Sequence, residues 1–131
     1  MAPAPQLKIL VVEDHDDSRT TLRMLLALAH GHVVYEAAEG FSALQIAVEK
    51  RPDAALIDLG LPGMDGYEVA RRIRDTVGDG IFLIALTGYD TEEDRRRTLD
   101  AGFDVHMVKP VDSGELTSLL AQVAASRVTG E

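Results

Sequence analysis

Apolar residues occur along this chain in short blocks of two kinds. Residues 7–12, 54–57 and 81–86 are nearly unbroken apolar runs of strand length, with Lys8 the one charged interruption. Runs without polar alternation suit strands covered on both faces. Residues 32–37 and 105–108 complete a set of five strands. Between them the apolar positions return at helical spacing. A first helix is predicted from Asp16 or Asp17, either of which can cap it, to about His30, with Gly31 closing it. Leu22, Leu25, Leu26 and Ala29 share one face of that helix, and Met24 and Leu28 fall nearly opposite. Gly40 opens a second helix, with Phe41, Leu44 and Val48 on one side and Ile46 and Ala47 beside them. Lys50-Arg51-Pro52 ends it, with cations in the last turn and proline beyond.

A third helix is expected over 67–76, with Val69, Ala70 and Ile73 inward and Arg71, Arg72 and Arg74 toward water. Thr91 starts a short polar helix that closes at Gly102. Asp112 and Glu115 have the spacing of a capping box for a last helix, which buries Leu116, Leu119, Leu120 and Val123. Residues 1–6 and 127–131 read as loose ends around one domain at 7–126. Strand and helix thus alternate five times without linker or repeat. That pattern predicts an α/β fold, a parallel sheet with helices on both faces. Right-handed crossovers make it doubly wound.

Composition narrows the chemistry. A hydrophobic content of 46% in 131 residues supports a real core. There is no cysteine, which excludes disulfides and thiolate metal sites and fits a reducing, cytoplasmic setting. No segment is long and apolar enough to span a bilayer, so no membrane partner is expected. With 13 Lys and Arg against 22 Asp and Glu, the net charge of −9 argues against direct binding to nucleic acid.

The strand ends carry the candidate chemistry. The third strand stops on Asp58, and Gly60, Pro62, Gly63 and Gly66 then hold the chain out of regular structure. By itself Asp58 reads equally as a helix cap or a surface ion-pair partner. The first strand, however, ends at Glu13 and Asp14, the fourth at Thr87 and the fifth at Lys109. In a parallel sheet these ends share one edge, where ligands of open α/β sheets bind. Several carboxylates without thiols favour a hard cation such as Mg2+. A carboxylate beside a divalent ion and a lysine is placed to attack phosphorus, with Thr87 as a donor to a phosphoryl oxygen. The bland alternative is an acidic rim tied by a lysine salt bridge.

Four segments carry a resemblance in their correct order: Leu-Val-Val-Glu-Asp at 10–14, Asp-Leu-Gly-Leu-Pro-Gly-Met-Asp-Gly at 58–66, Ala-Leu-Thr-Gly at 85–88 and Val-Lys-Pro at 108–110. Over about residues 7–126 the chain resembles the receiver domains of two-component response regulators and hybrid histidine kinases. The resemblance implies a five-stranded sheet in the flavodoxin-like order 2-1-3-4-5, and that Asp58 is the phosphoacceptor. Asp14 and Asp58 would ligate Mg2+ directly, Glu13 directly or through water, and Gly60 through its backbone carbonyl. Thr87 would be the switch hydroxyl and Lys109 the phosphate-binding cation, with Lys109-Pro110 in cis. The donor would be a histidine kinase or histidine phosphotransfer protein, and the downstream effector is not specified. The chain is compatible with a stand-alone regulator, a relay intermediate or a receiver within a larger protein.

One position departs from the family. The second switch residue is usually Tyr or Phe, and here it is His106. Either His106 alters the switch, with a possible pH sensitivity, or it is a partly exposed imidazole on an edge strand with no switching role. By the same resemblance, Gly60 and Tyr89 flank the path of the hydrolytic water, where Tyr89 would shield the phosphoryl group. Met24 and Leu28 form a candidate docking patch for a kinase helix or a weak homodimer. Two other functions fit the pattern less well: an interaction module that signals without phosphate, which the acidic residues, Thr87 and Lys109 argue against, and a hydrolase acting on external phosphate esters, for which no second general acid-base follows Asp58 at close spacing.

Overall fold

The computed structural model describes residues 6–29 and 31–129. His30, residues 1–5 and 130–131, and the side chains of 29 and 127–129 lie outside that description, and with them most of the expected loose ends. Strands β1 (Lys8–Val12), β2 (Val33–Ala37), β3 (Ala54–Asp58), β4 (Phe82–Thr87) and β5 (Val105–Val108) alternate with α1 (Asp16–Met24), α2 (Gly40–Lys50), α3 (Gly66–Val77), α4 (Glu92–Ala101) and α5 (Ser113–Thr129). All strand pairs are parallel, in the order β2-β1-β3-β4-β5, as expected.

Neighbouring residues on each strand face opposite sides of the sheet, which explains why the runs are continuously apolar. Leu10, Val12, Ala55 and Ile57 pack with Ala43, Ala47, Val69 and Ile73 from α2 and α3. Ile9, Val11, Leu56 and Ile84 pack with Leu22 of α1, Leu26 just beyond it, and Leu116 and Leu120 of α5. Register aligns the strand ends. Val12 pairs with Ile57, Asp58 with Leu86, and Thr87 with Val108. Glu13, Asp58, Thr87 and Lys109 therefore leave the sheet along one edge. No helix among the described residues is long and apolar enough to cross a membrane.

Four local expectations are corrected. The cap of α1 is His15 rather than Asp16 or Asp17. His15 has extended backbone, and its Nδ1 accepts from the Ser18 amide at 3.4 Å. Asp16 is spent on Arg19 at 2.7 Å. Nor does α1 stay α-helical: Leu25–Ala29 is a π-helical turn. The His32 amide reaches back to the Leu26 carbonyl at 3.1 Å, and Gly31 turns the chain at φ 72°. Leu22 and Leu26 are buried, and Met24 and Leu28 face solvent, as the periodicity predicts.

On α2 the inner face is Ala43 and Ala47, whereas Phe41 is 65% exposed and Val48 40%. The small residues win because α2 and α3 lie close together. A Cβ on Gly40 would sit 2.9 Å from Met64 Cβ and 3.0 Å from Val69 Cγ2. Larger side chains on this face would force the helices apart.

Arg74 does not point to water. Its guanidinium donates to the carbonyls of Gly102, Gly78 and Ile81 at 2.9, 3.0 and 2.8 Å. It also pairs with Asp104 Oδ2 at 2.9 Å, which accepts from the Leu83 amide at 2.8 Å. Helix ends and turns leave carbonyls without partners, and one planar five-donor group serves three of them. Arg74→Ala is therefore expected to destabilise the fold by about 2 kcal/mol, and Arg74→Lys to recover little of it. Urea unfolding measures both; an unchanged midpoint in the alanine variant would show that water replaces the guanidinium.

Candidate functional site

Hydrogen bonds beyond the strands extend the alignment into the loops. The Glu13 amide donates to the Ala37 carbonyl at 3.0 Å, the Leu59 amide to Leu86 at 3.0 Å, and the Lys109 amide to Thr87 at 2.7 Å. Each loop is thus anchored at its first residue, and the side chains of Glu13, Asp58 and Lys109 converge beside these anchors. Carboxylate oxygens of Glu13, Asp14 and Asp58 lie within 4.8 Å of one another, the one such group among the described residues. Lys109 Nζ reaches Glu13 Oε1 at 3.0 Å and Asp58 Oδ1 at 3.3 Å. The Gly60 amide donates to Asp58 Oδ1 at 3.0 Å, which fixes the carboxylate's orientation. The Lys109-Pro110 bond is cis.

Burial differs within the cluster. Glu13 is 2% exposed, Asp58 and Thr87 are buried, and Asp14 faces solvent. Desolvation pushes the Glu13 carboxyl above its usual range, against the pull of Lys109 and the His15 amide, and Asp58 adds to the rise. Burial works to lower Lys109, but the carboxylates of Glu13 and Asp58 prevail and raise it. Lys109 is therefore a firm ammonium. Three carboxylates facing one ammonium leave an excess of negative charge, and all the donors are oxygen. That donor set fits a hard divalent cation, which Glu13, Asp14 and Asp58 could hold.

Two supports of this cluster were not legible in the chain. The His15 amide donates to Glu13 Oε2 at 3.2 Å, and Arg19 Nη1 donates to the Glu13 carbonyl at 2.9 Å. The first is a backbone amide, which any residue after the first strand would carry, and the second reaches back from the first turn of α1, so neither partner is marked in the sequence.

The remaining candidates lie around the cluster. Thr87 Oγ1 accepts from the Tyr89 amide at 3.1 Å, and the Tyr89 side chain is exposed. His106, on edge strand β5, is largely covered and bonds through Nε2 to Asp90 Oδ1 at 2.9 Å. A cavity of about 540 Å3 begins at Glu13 and Lys109 and runs along α1, with Leu22, Leu25, Leu86 and Val111 among its lining. Met24 and Leu28 are exposed farther along the same helix and its π turn.

Residues 9–121 match the model of the response regulator receiver domain family. The chain is 38% identical over 123 residues to an uncharacterized 14.6 kDa protein of Leptolyngbya boryana, covering 93% of each. It is 40% identical over 115 residues to the transcriptional regulatory protein AfsQ1 of Streptomyces coelicolor, covering 88% of this chain but 50% of AfsQ1. Thus it spans about half the length of that larger relative. Among solved structures it is similar to the receiver domain of the sensor histidine kinase PA1611 of Pseudomonas aeruginosa. The TM-score is 0.83 with 33% identity, over 93% of this chain and 100% of that one. That structure has a magnesium ion coordinated in its active-site cleft.

Proposed function

The chain belongs to the response regulator receiver domain family, and from that premise we propose that it takes a phosphoryl group from a phosphohistidine onto Asp58. The supporting observation is the Lys109 ammonium between Glu13 and Asp58, at 3.0 and 3.3 Å, beside the three-carboxylate cluster. In this reading one Asp58 carboxylate oxygen attacks phosphorus. The phosphorus–nitrogen bond breaks, the donor imidazole leaves with the electron pair and takes up a proton, and an acyl phosphate remains on Asp58. Glu13, Asp14, Asp58 and the Gly60 carbonyl would hold Mg2+, which when bound neutralises charge on the transferring group. The Gly60 amide keeps the Asp58 carboxylate oriented, so little rotational freedom is lost at transfer. Lys109 balances charge that builds on the phosphoryl oxygens, and the Thr87 hydroxyl donates to one of them. The phosphorylated form then shifts the population of the α4-β5-α5 surface toward a state that an effector reads. A chain without cysteine suits the cytoplasm, where such a relay would run.

The test is phosphoryl incorporation from acetyl phosphate, read by intact-protein mass, with Mg2+ and with excess EDTA. Incorporation that requires the metal supports the proposal. No incorporation with Mg2+ present would leave the fold as a phosphate-independent interaction module, and turnover of a small phosphate ester would favour the hydrolase.

Tyr89 and Met24 give two finer predictions. Tyr89 lies beside Thr87, and its exposed ring is available to cover the acyl phosphate. Tyr89→Ala is expected to speed loss of the phosphoryl group about threefold, a barrier change below 1 kcal/mol. An unchanged decay rate assigns the ring to ordinary surface. Met24→Glu is expected to slow transfer from a phosphohistidine protein at least about fivefold while leaving acetyl phosphate labelling unchanged, because only a protein donor needs the α1 surface. Equal rates with the protein donor would remove Met24 and Leu28 from its docking site.

A further inference from the structure

Helix α4 is held to the molecule by polar ties more than by burial. Thr98 and Ala101 are its buried residues, and Leu99 is exposed. Arg97 stacks 4.2 Å above the centre of the Tyr67 ring of α3. Gly102, just past the C-terminus, accepts from Arg74 at 2.9 Å. At the other end, Arg95 Nε and Nη2 form a fork on Asp90 Oδ1 and Oδ2 at 2.7 and 3.0 Å. Asp90 lies in the loop between β4 and α4, and its Oδ1 is also 2.9 Å from His106 Nε2 on β5. A carboxylate only accepts, so the imidazole donates from Nε2. Arg95 first, and His106 second, hold the Asp90 carboxyl well below the usual carboxylate range. A single carboxylate thus joins an edge strand to a helix through the loop that starts at Thr87.

The geometry points to a clasp in which His106 and Arg95 grip Asp90 and hold the β4–α4 loop in place, opposing the loop movement that couples Thr87 to a phosphoryl group on Asp58. This inference rests on Asp58 as the acceptor. Thr87 Oγ1 accepts from the Tyr89 amide at 3.1 Å, so a Thr87 drawn toward Asp58 carries the loop backbone with it. Asp90 follows that backbone. His106 does not follow freely, because β5 is paired to β4 from Val105 to Val108 and the imidazole is 18% exposed. Moving the loop therefore stretches the His106–Asp90 bond. Linkage makes the relation reciprocal: whatever favours the clasp disfavours the phosphoryl-bound state by the same factor. Asp90 and Arg95 are both solvent-accessible, which limits the effect to about threefold.

The experiment compares wild type with His106→Phe, Asp90→Ala and the double variant. Each is titrated with beryllofluoride at saturating Mg2+ by calorimetry. His106→Phe keeps a ring of similar size without the polar atom, and Asp90→Ala removes the grip at an exposed site. Each single variant is expected to bind beryllofluoride about threefold tighter, and the double variant no tighter than Asp90→Ala alone, because that change already removes the contact to His106. Single variants that bind with wild-type affinity or more weakly, or a double variant whose gain is the product of the two, overturn the clasp. If His106→Phe does not fold, Asp90→Ala decides alone. A wild type that binds no beryllofluoride overturns the acceptor reading at Asp58, and the clasp falls with it.

Discussion

Asp58→Asn is expected to leave the fold standing and to reduce phosphoryl incorporation at least about a hundredfold, the scale of losing the group that forms the covalent bond. Asparagine matches aspartate in shape, and its carbonyl oxygen still accepts from the Gly60 amide, a contact of 3.0 Å in the native chain. An amide, however, is a poor nucleophile and cannot yield an acyl phosphate. Neighbouring carboxylates offer little rescue, because Glu13 is buried and already bound to Lys109 at 3.0 Å. The same substitution has an electrostatic signature. Asp58 is one of three clustered carboxylates, and its charge raises Glu13 further beyond what burial does. Removing it relieves repulsion, so without metal the variant should be at least as stable as wild type, by up to about 1 kcal/mol. Added Mg2+ should then stabilise it less than it stabilises wild type. Labelling with acetyl phosphate and thermal unfolding with and without Mg2+ check all three statements. A variant labelled at the wild-type rate would place the acceptor elsewhere.

Gly66→Ala should be severely damaging for so small a change, costing about 3 kcal/mol. The reason is space. Gly66 opens α3, and its amide donates to the Leu59 carbonyl at 3.2 Å, folding the loop back over the end of β3. A Cβ there would collide with the Asp58 carbonyl oxygen and stand 2.7 Å from Leu59 Cα. Backbone cannot yield as the tip of a side chain can, so the loop must shift, and Asp58 shifts with it. Mg2+ affinity should fall along with stability. Gly63→Ala is the control. Gly63 has φ 72° with nothing within 4 Å of a built Cβ, so it carries only left-handed strain, about 1 kcal/mol. Urea unfolding of both variants separates the two causes, and equal losses would dismiss the steric argument.

Much of this is legible in the sequence alone. Asp58, at the end of an apolar run and followed by Gly60, Pro62 and Gly63, marks a strand ending in a functional loop. Glu13, Thr87 and Lys109 repeat that placement, and parallel strands must bring such ends to one edge. Less legible were the partners that residues choose across elements. Arg74 occupies a position that periodicity assigns to water, yet four acceptors around it draw it inward. Phe41 and Val48 have the size of core residues, but the close approach of α2 to α3 admits alanine there and leaves them outside. At His106 the identity of the residue raised two readings, and the partner it takes, Asp90 at 2.9 Å, shows only in the folded chain.

By itself, the order of residues determined the element types, the parallel sheet and the identity of the groups at its edge. Those follow from periodicity, from the handedness of crossovers and from the short reach between a strand and its own loop, all of which act between near neighbours. Only the tertiary structure decided the distances among Glu13, Asp58 and Lys109, the inward turn of Arg74, the face α2 presents and the grip on Asp90. Each of these is set by contacts between residues distant in the chain. Such contacts form only when helices pack on a common sheet, where available space and unpaired carbonyls outweigh the local preference of any one side chain.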